Sequence, residues 1–109
     1  MDMKLIVAIV NSEDTPAVLS ELTAASYSVT KLSTSGGFLR AGNMTMLIGV
    51  EKEKVKDALA IIEEFSSRRT QPVPVNSTYI GGSLISVPVE VTVGGATVFV
   101  LDVEQFYKL

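Results

Sequence analysis

The sequence contains no cysteine and no histidine. Without cysteine there is no disulfide framework, no thiol nucleophile and no thiolate metal site. Without histidine the commonest general base and metal ligand is missing as well. The two absences together argue against hydrolytic, redox and zinc chemistry. Long apolar runs are also missing: the longest, Leu5 to Val10, is far too short to span a bilayer. No small-residue cleavage site follows it, so it does not read as a secretory signal either. Basic residues are in the minority, nine against twelve acidic ones for a net charge of −3, which argues against broad binding to a nucleic-acid polymer. A single anionic ligand held by local donors remains compatible with that charge.

What is present is an ordinary globular composition on the apolar side, 47% hydrophobic and 19% charged over 109 residues. That length predicts one domain with a small core, and the apolar excess predicts that some surface is buried by self-association. Lys4 to Val10 is a nearly continuous apolar run, as expected of a strand in the middle of a sheet. Thr15 and Pro16 supply an N-cap and a first helical residue. Val18, Leu19, Leu22 and Ala25 then share a helical face, placing a first helix over about Pro16 to Ala25. Tyr27 to Ser35 alternates as a more exposed strand, and Met44 to Val50 returns as an apolar one. Glu51 to Ser66 is the clearest helix: Val55, Ala58, Leu59, Ile62 and Phe65 form the apolar stripe, with Lys52, Lys56, Asp57, Glu63 and Glu64 toward water. Those carboxylates read as solvated helix surface, and no general acid clusters with a nucleophile, so an enzyme is not expected. Arg68 and Arg69 follow; complementing the helix dipole is favoured over a ligand contact.

Thr70 to Val87, with two prolines and a glycine pair, reads as a long loop carrying at most a short strand. Pro88 to Val100 reads as a hairpin, Val89 to Val93 and Ala96 to Val100 around Gly94 and Gly95. Its register pairs Val93 with Ala96, Val91 with Val98 and Val89 with Val100 on one face. Phe99 falls on the opposite, mostly polar face, as a subunit contact or a ligand platform. The tail from Asp102 ends in Phe106 and Tyr107, which are expected to dock.

The order strand, helix, strand, strand, helix, strand predicts an α+β fold, the ferredoxin-like βαββαβ antiparallel sheet with both helices on one face, followed by an extra C-terminal hairpin strand. In this topology the first and third strands are central and one sheet face is bare. Other copies in a closed cyclic oligomer are the economical cover.

Gly36 to Asn43, between the second and third strands, has the residue types of a small-molecule site. Gly36 and Gly37 permit positive φ and close approach of a ligand to the peptide groups, and successive N–H groups in such a turn form an anion-binding concavity. Phe38 and Leu39 need burial against a subunit or a ligand. Arg40 is a planar cation suited to phosphate, and Asn43 has the donor and acceptor that read an adenine edge. A purine nucleotide fits these residues; a mobile hairpin loop with Phe38 tucked into the core is the alternative.

Thr30, Lys31 and the run Gly36 to Asn43, followed by Pro88 to Val91 and Gly94 to Val100, closely resemble the cyclic-di-AMP receptors of the PII-like signal-transduction superfamily. The resemblance spans nearly the whole chain. It implies a bacterial cytoplasmic homotrimer of single PII-like domains, here residues 1–109, with nucleotide sites between subunits. It also implies flexible loops at about 35–43 and 67–87 that respond to ligand and present a surface to a downstream protein. Carried over by residue, Thr30 contacts a phosphate or ribose, and Phe38 and Leu39, next to Gly37 and Arg40, line the ligand. Asn43 and Gly49 surround one adenine, and Phe99 packs on that base. No cofactor, metal or membrane insertion is implied; the ligand is cyclic-di-AMP or a related adenine nucleotide. Three positions depart from the family pattern: Ser26 replaces an asparagine, Ser28 an arginine on the second adenine, and Lys108 a glutamine. Losing such an arginine costs about 1–3 kcal/mol. A diverged trimer that binds another adenine nucleotide, or acts as a protein-interaction scaffold, is therefore the alternative function.

Overall fold

The alternating burial of the first strand sets up the rest of the architecture. In the structure, a computed structural model describing residues 2–32, 42–80 and 83–109, Met3–Asn11 forms β1. Ile6, Ala8 and Val10 are fully buried, while Leu5, Val7 and Ile9 between them are only half covered. One face of the strand thus meets the helices and the other does not. β1 pairs antiparallel with β3 (Asn43–Glu51), from Met3 opposite Glu51 to Asn11 opposite Asn43. On its other side it pairs with β6 (Ala96–Asp102), and β2 (Val29–Leu32) pairs with the outer side of β3. The sheet order is β2-β3-β1-β6, the ferredoxin-like order expected, with β1 and β3 central.

Two helices close the buried face. The first, α1, spans Thr15–Ala24, and α2 spans Val55–Ser66 behind a short 3-10 turn at Lys52–Lys54. Val18 and Leu22 from α1, with Ala58 and Ile62 from α2, pack on Ile6, Ala8, Val10, Met46, Ile48 and Val50. This core is a single layer of apolar side chains, and its burial from water is what holds helices to sheet. Thr15 is the first helical residue and not the cap: Asp14 occupies the cap position, and the Thr15 hydroxyl donates to the Asn11 carbonyl at 3.0 Å. At the other end of α1, Tyr27 N–H bonds to Leu22 O and Ser26 N–H to Thr23 O, both at 3.0 Å. These two bonds define a Schellman closure, with Ser26 at φ 70° in its left-handed position.

Three further expectations are corrected. The segment read as a long loop is a two-stranded antiparallel ribbon, β4 (Arg69–Ile80) with β5 (Ser83–Val93), whose strand pairing is entirely internal. Its prolines are compatible with strand because Pro74 lies opposite Pro88 and Pro72 opposite Glu90. Two facing prolines can only be a non-hydrogen-bonded pair, where the absent N–H would point outward from the ribbon, so no ladder bond is lost. The ribbon edges are thereby denied outward donors at those positions, which protects them from strand addition. It also lengthens the molecule: the radius of gyration is 18.5 Å, against about 13 Å for a compact chain of this size.

Second, Gly94 and Gly95 do not close a hairpin between β5 and β6. Both have positive φ, +81° and +86°, and they turn the chain out of the ribbon and into the sheet, where β6 takes the free edge of β1. The pairs expected across the turn, such as Val91 with Val98, are not made; Val98 lies opposite Ala8 and Phe99 opposite Val7. Phe99 nevertheless occupies the face expected for it, because side-chain alternation belongs to the strand and not to its partner. Third, the tail does not dock on its own subunit: Phe106 is 58% and Tyr107 71% exposed.

Candidate functional site

Strand register places the predicted site residues that the structure describes on one face. Val29 and Val98 pack against the core, so their neighbours Thr30 and Phe99 point to the side that the helices leave open. Phe99 is 54% exposed there. Thr30 lies opposite Leu47, Leu47 opposite Val7 and Val7 opposite Phe99, which makes one transverse row across the sheet. Gly49 belongs to the next row, with Leu5 and Leu101, and Asn43 to the row of Asn11 at the far end. Thr30, Asn43, Gly49 and Phe99 therefore share the open face. Gly37, Phe38, Leu39 and Arg40 lie outside the described residues.

The same register separates two of them. Adjacent strands are roughly 4.8 Å apart, so three strand steps put the Thr30 and Phe99 backbones roughly 14 Å from each other. Thr30 is on the edge strand β2 and Phe99 on the opposite edge strand β6. Between them stand Leu47 and Val7, with Leu5, Ile9 and Leu101 in the flanking rows, so the middle of the face is apolar. Such a surface, with Leu101 47% and Leu32 43% exposed at its margins, favours a large apolar contact. Aromatic Phe99 lies at its edge, and Thr45, between Ile9 and Leu32, is a polar side chain on a central strand.

A cleft of about 540 Å³ opens at the Gly49 end of this face, a size in the roughly 300–1,000 Å³ range of small-molecule sites. Gly49, Ser26, Tyr27 and Ser28 form one wall and the tail residue Phe106 another. A side chain at Gly49 would meet nothing of its own subunit within 4 Å, so the notch it leaves is room for something else. Ser26 and Ser28 are two of the positions that depart from the resemblance, and their short side chains leave this wall shallow. Tyr27 is held by a hydrogen bond from its hydroxyl to the Lys54 carbonyl at 3.2 Å. Desolvation, followed by the nearby Asp57 charge, pushes its phenol above the usual value. Lys54, Glu51 and Glu104 also line the cleft.

The roots of the two connecting segments are anchored close to each other, which sequence reasoning did not anticipate. Arg69, first residue of β4, donates from Nη2 to Asp14 Oδ1 at 2.7 Å and from Nη1 to Asp14 Oδ2 at 3.3 Å. The Asp14 hydrogen bond is the main cause that raises the guanidinium pKa still further. Arg69 thus pairs with a carboxylate of the β1–α1 turn, while its Nη1 also donates to the Ser67 carbonyl at the C-cap of α2, at 3.2 Å, the helix end it was expected to complement. These partners are 55 positions apart in the chain, and no local pattern links them. Among the described residues no group of three His, Cys, Asp or Glu side chains is placed to hold a metal ion. No described helix is long and apolar enough to cross a membrane.

Comparison with known proteins agrees with this arrangement. The model of a family described as cyclic-di-AMP receptor matches residues 3–109. Among solved structures the chain is similar to the crystal structure of a functionally unknown protein from Pediococcus pentosaceus ATCC 25745. The two are 39% identical over 100% of this chain and 99% of that one, with a TM-score of 0.77.

Proposed function

The chain belongs to the cyclic-di-AMP receptor family, and from that premise we propose that it is a PII-like homotrimer that senses an adenine nucleotide. In this reading cyclic-di-AMP, or a related adenine nucleotide, binds in clefts between subunits, and occupancy orders loops that control a partner protein. The protein is a cytoplasmic bacterial regulator and not an enzyme. The observation that carries the reading is the row linking Thr30 to Phe99 across the open face through apolar Leu47 and Val7. Copies that cover this face remove its apolar middle from water. A head-to-tail arrangement about a threefold axis then brings the Thr30 edge of one copy beside the Phe99 edge of the next. Phe99 stacks on an adenine, Thr30 holds a phosphate or ribose, and Asn43 and Gly49 contribute contacts from the two ends of β3. Gly37, Phe38, Leu39 and Arg40 complete the site from the glycine-rich connection. A ligand shifts the loops only by its differential affinity for their two states, and contacts beside Phe38 and Leu39 supply that difference.

Calorimetric titration of the purified protein with cyclic-di-AMP, ATP and AMP tests the proposal. Saturable heat with one site per subunit is expected for at least one of them. An intact oligomer giving no heat with any adenine nucleotide would falsify the sensor function.

One observation favours a second reading. The cleft is lined by Ser26 and Ser28 and by two carboxylates, Glu51 and Glu104, against one lysine, Lys54, a poor setting for a second anionic half of a dinucleotide. In that case the trimer has a diverged site and works through a smaller nucleotide or through constitutive protein contact. Ser28→Arg separates the two: tight cyclic-di-AMP binding gained by the variant and absent from the parent identifies the diverged form.

A further inference from the structure

We infer that the turn from Asn11 to Asp14 is a mechanical link between the glycine-rich connection and the β4–β5 ribbon within a single subunit. The turn touches the root of each. Ser12 N–H donates to the Gly42 carbonyl at 2.7 Å, where the connection enters β3. The Asp14 carboxylate receives both terminal nitrogens of Arg69, where the ribbon leaves α2.

The turn is braced from within, so it moves as a unit. Asp14 N–H and the Thr15 hydroxyl both donate to Asn11 O, at 2.9 and 3.0 Å, and Glu13 N–H donates to Asn11 Oδ1 at 2.9 Å. Asp14 is also hard to detach from Arg69. Its side chain is 8% exposed against 37% for the arginine, and a carboxylate that sheltered is costly without a partner. Arg69 carries the constraint onward: its Nη1 also donates to Ser67 O at 3.2 Å. Gly95, at the other foot of the ribbon, donates its N–H to Ser66 O. A displacement at Gly42 therefore pulls Ser12, shifts Asp14 and re-aims the first residue of β4. The link deepens the proposed sensor function, on which it relies for the event that displaces the connection, and it supplies a route from the site to the ribbon.

Hydrogen exchange in a ligand-free double-mutant cycle tests it. Gly42 has φ +149°, a conformation that side chains rarely adopt, so Gly42→Ala perturbs the first root directly. The readout is exchange at the Gln71 and Val91 amides, which face each other in the ribbon. Core amides of Val7 and Ile48 report whether each variant is folded. In the parent background Gly42→Ala is expected to speed ribbon exchange at least threefold. In an Arg69→Gln background, and separately in Asp14→Asn, the same change is expected to lose more than half of that effect, with Arg69→Lys intermediate. Equal factors in all backgrounds would overturn the link. Cyclic-di-AMP is then added to the parent and to Arg69→Gln. A ribbon response in the parent that vanishes in Arg69→Gln supports the link, and one that persists unchanged contradicts it. Failure of the nucleotide to bind counts against the sensor function alone, because the ligand-free cycle decides the link by itself.

Discussion

Thr30 and Phe99 stand at the two ends of one transverse row, with Leu47 and Val7 between them, on the side of the sheet that faces away from both helices. Their backbones are roughly 14 Å apart, on opposite edge strands of the sheet. The geometry suits a site assembled from two copies. Phe99→Ala is accordingly expected to weaken adenine-nucleotide binding roughly ten- to a hundredfold, the value of about 1–3 kcal/mol for a base on an aromatic ring. Its thermal midpoint should stay within a few degrees of the parent, since the ring is half exposed and outside the core. Unchanged affinity by calorimetry would remove Phe99 from the site.

Ser26 carries a backbone conformation that suits glycine better. It is the left-handed residue of the Schellman closure of α1, at φ 70°. Replacing it with glycine relieves the Cβ clash at a position where glycine is the common choice. Ser26→Gly is expected to raise unfolding free energy by about 0.5–1 kcal/mol in urea titration. A loss of stability would mean that the serine hydroxyl contributes more than its strain costs.

Gly94 is the opposite case. A Cβ there would lie 2.6 Å from both Arg69 Nη1 and Ser67 O, on a backbone at φ +81°. Neither obstacle moves without disturbing the Asp14–Arg69 pair or the end of α2. Gly94→Ala is expected to destabilise by about 1–3 kcal/mol, seen as a lower urea midpoint. A neutral substitution would show that the foot of the ribbon rearranges freely.

Much of this structure was legible from residue pattern, and the failures share a cause. The apolar run of β1 and the stripe on α2 were readable because burial imposes periods of two and 3.6 on a single segment. Phe99 was assigned its face correctly from a hairpin that does not exist, because parity along β6 survives a change of partner. What a local pattern does not contain is the choice among distant partners. Gly94 and Gly95 signal a tight turn, but the unpaired edge of β1 is the better partner for β6. Pro72 and Pro74 signal a loop, although prolines at non-hydrogen-bonded positions, Pro74 facing Pro88 and Pro72 facing Glu90, fit a ribbon. The Asp14–Arg69 pair joins segments whose proximity follows only from the completed fold.

Among the described residues, a pH dependence follows from a few side chains with displaced pKa values. Asp102 is held below its ordinary value by its hydrogen bond from Lys4, and Lys4 is raised above 10.5 mainly by the same bond. Tyr27 is raised above 10.0 by desolvation. A depressed carboxylate stabilises above its unfolded pKa and loses that contribution as pH falls through the folded one. Raised lysine and tyrosine groups do the reverse, and their contributions are lost above about pH 10. No histidine or cysteine side chain titrates between these limits. The urea midpoint is expected to be flat from about pH 5 to 9, falling on both sides. A step near pH 6.5 would contradict this.

The central claim is that one nucleotide site takes Thr30 from one subunit and Phe99 from its neighbour. Thr30→Ala and Phe99→Ala chains, each deficient in binding alone, can be co-expressed and the mixed oligomer titrated with the nucleotide that the parent binds. Random head-to-tail assembly leaves about a quarter of the junctions with an intact threonine facing an intact phenylalanine, so about a quarter of the parental capacity at parental affinity is predicted. A mixture that recovers no high-affinity sites would contradict the shared site.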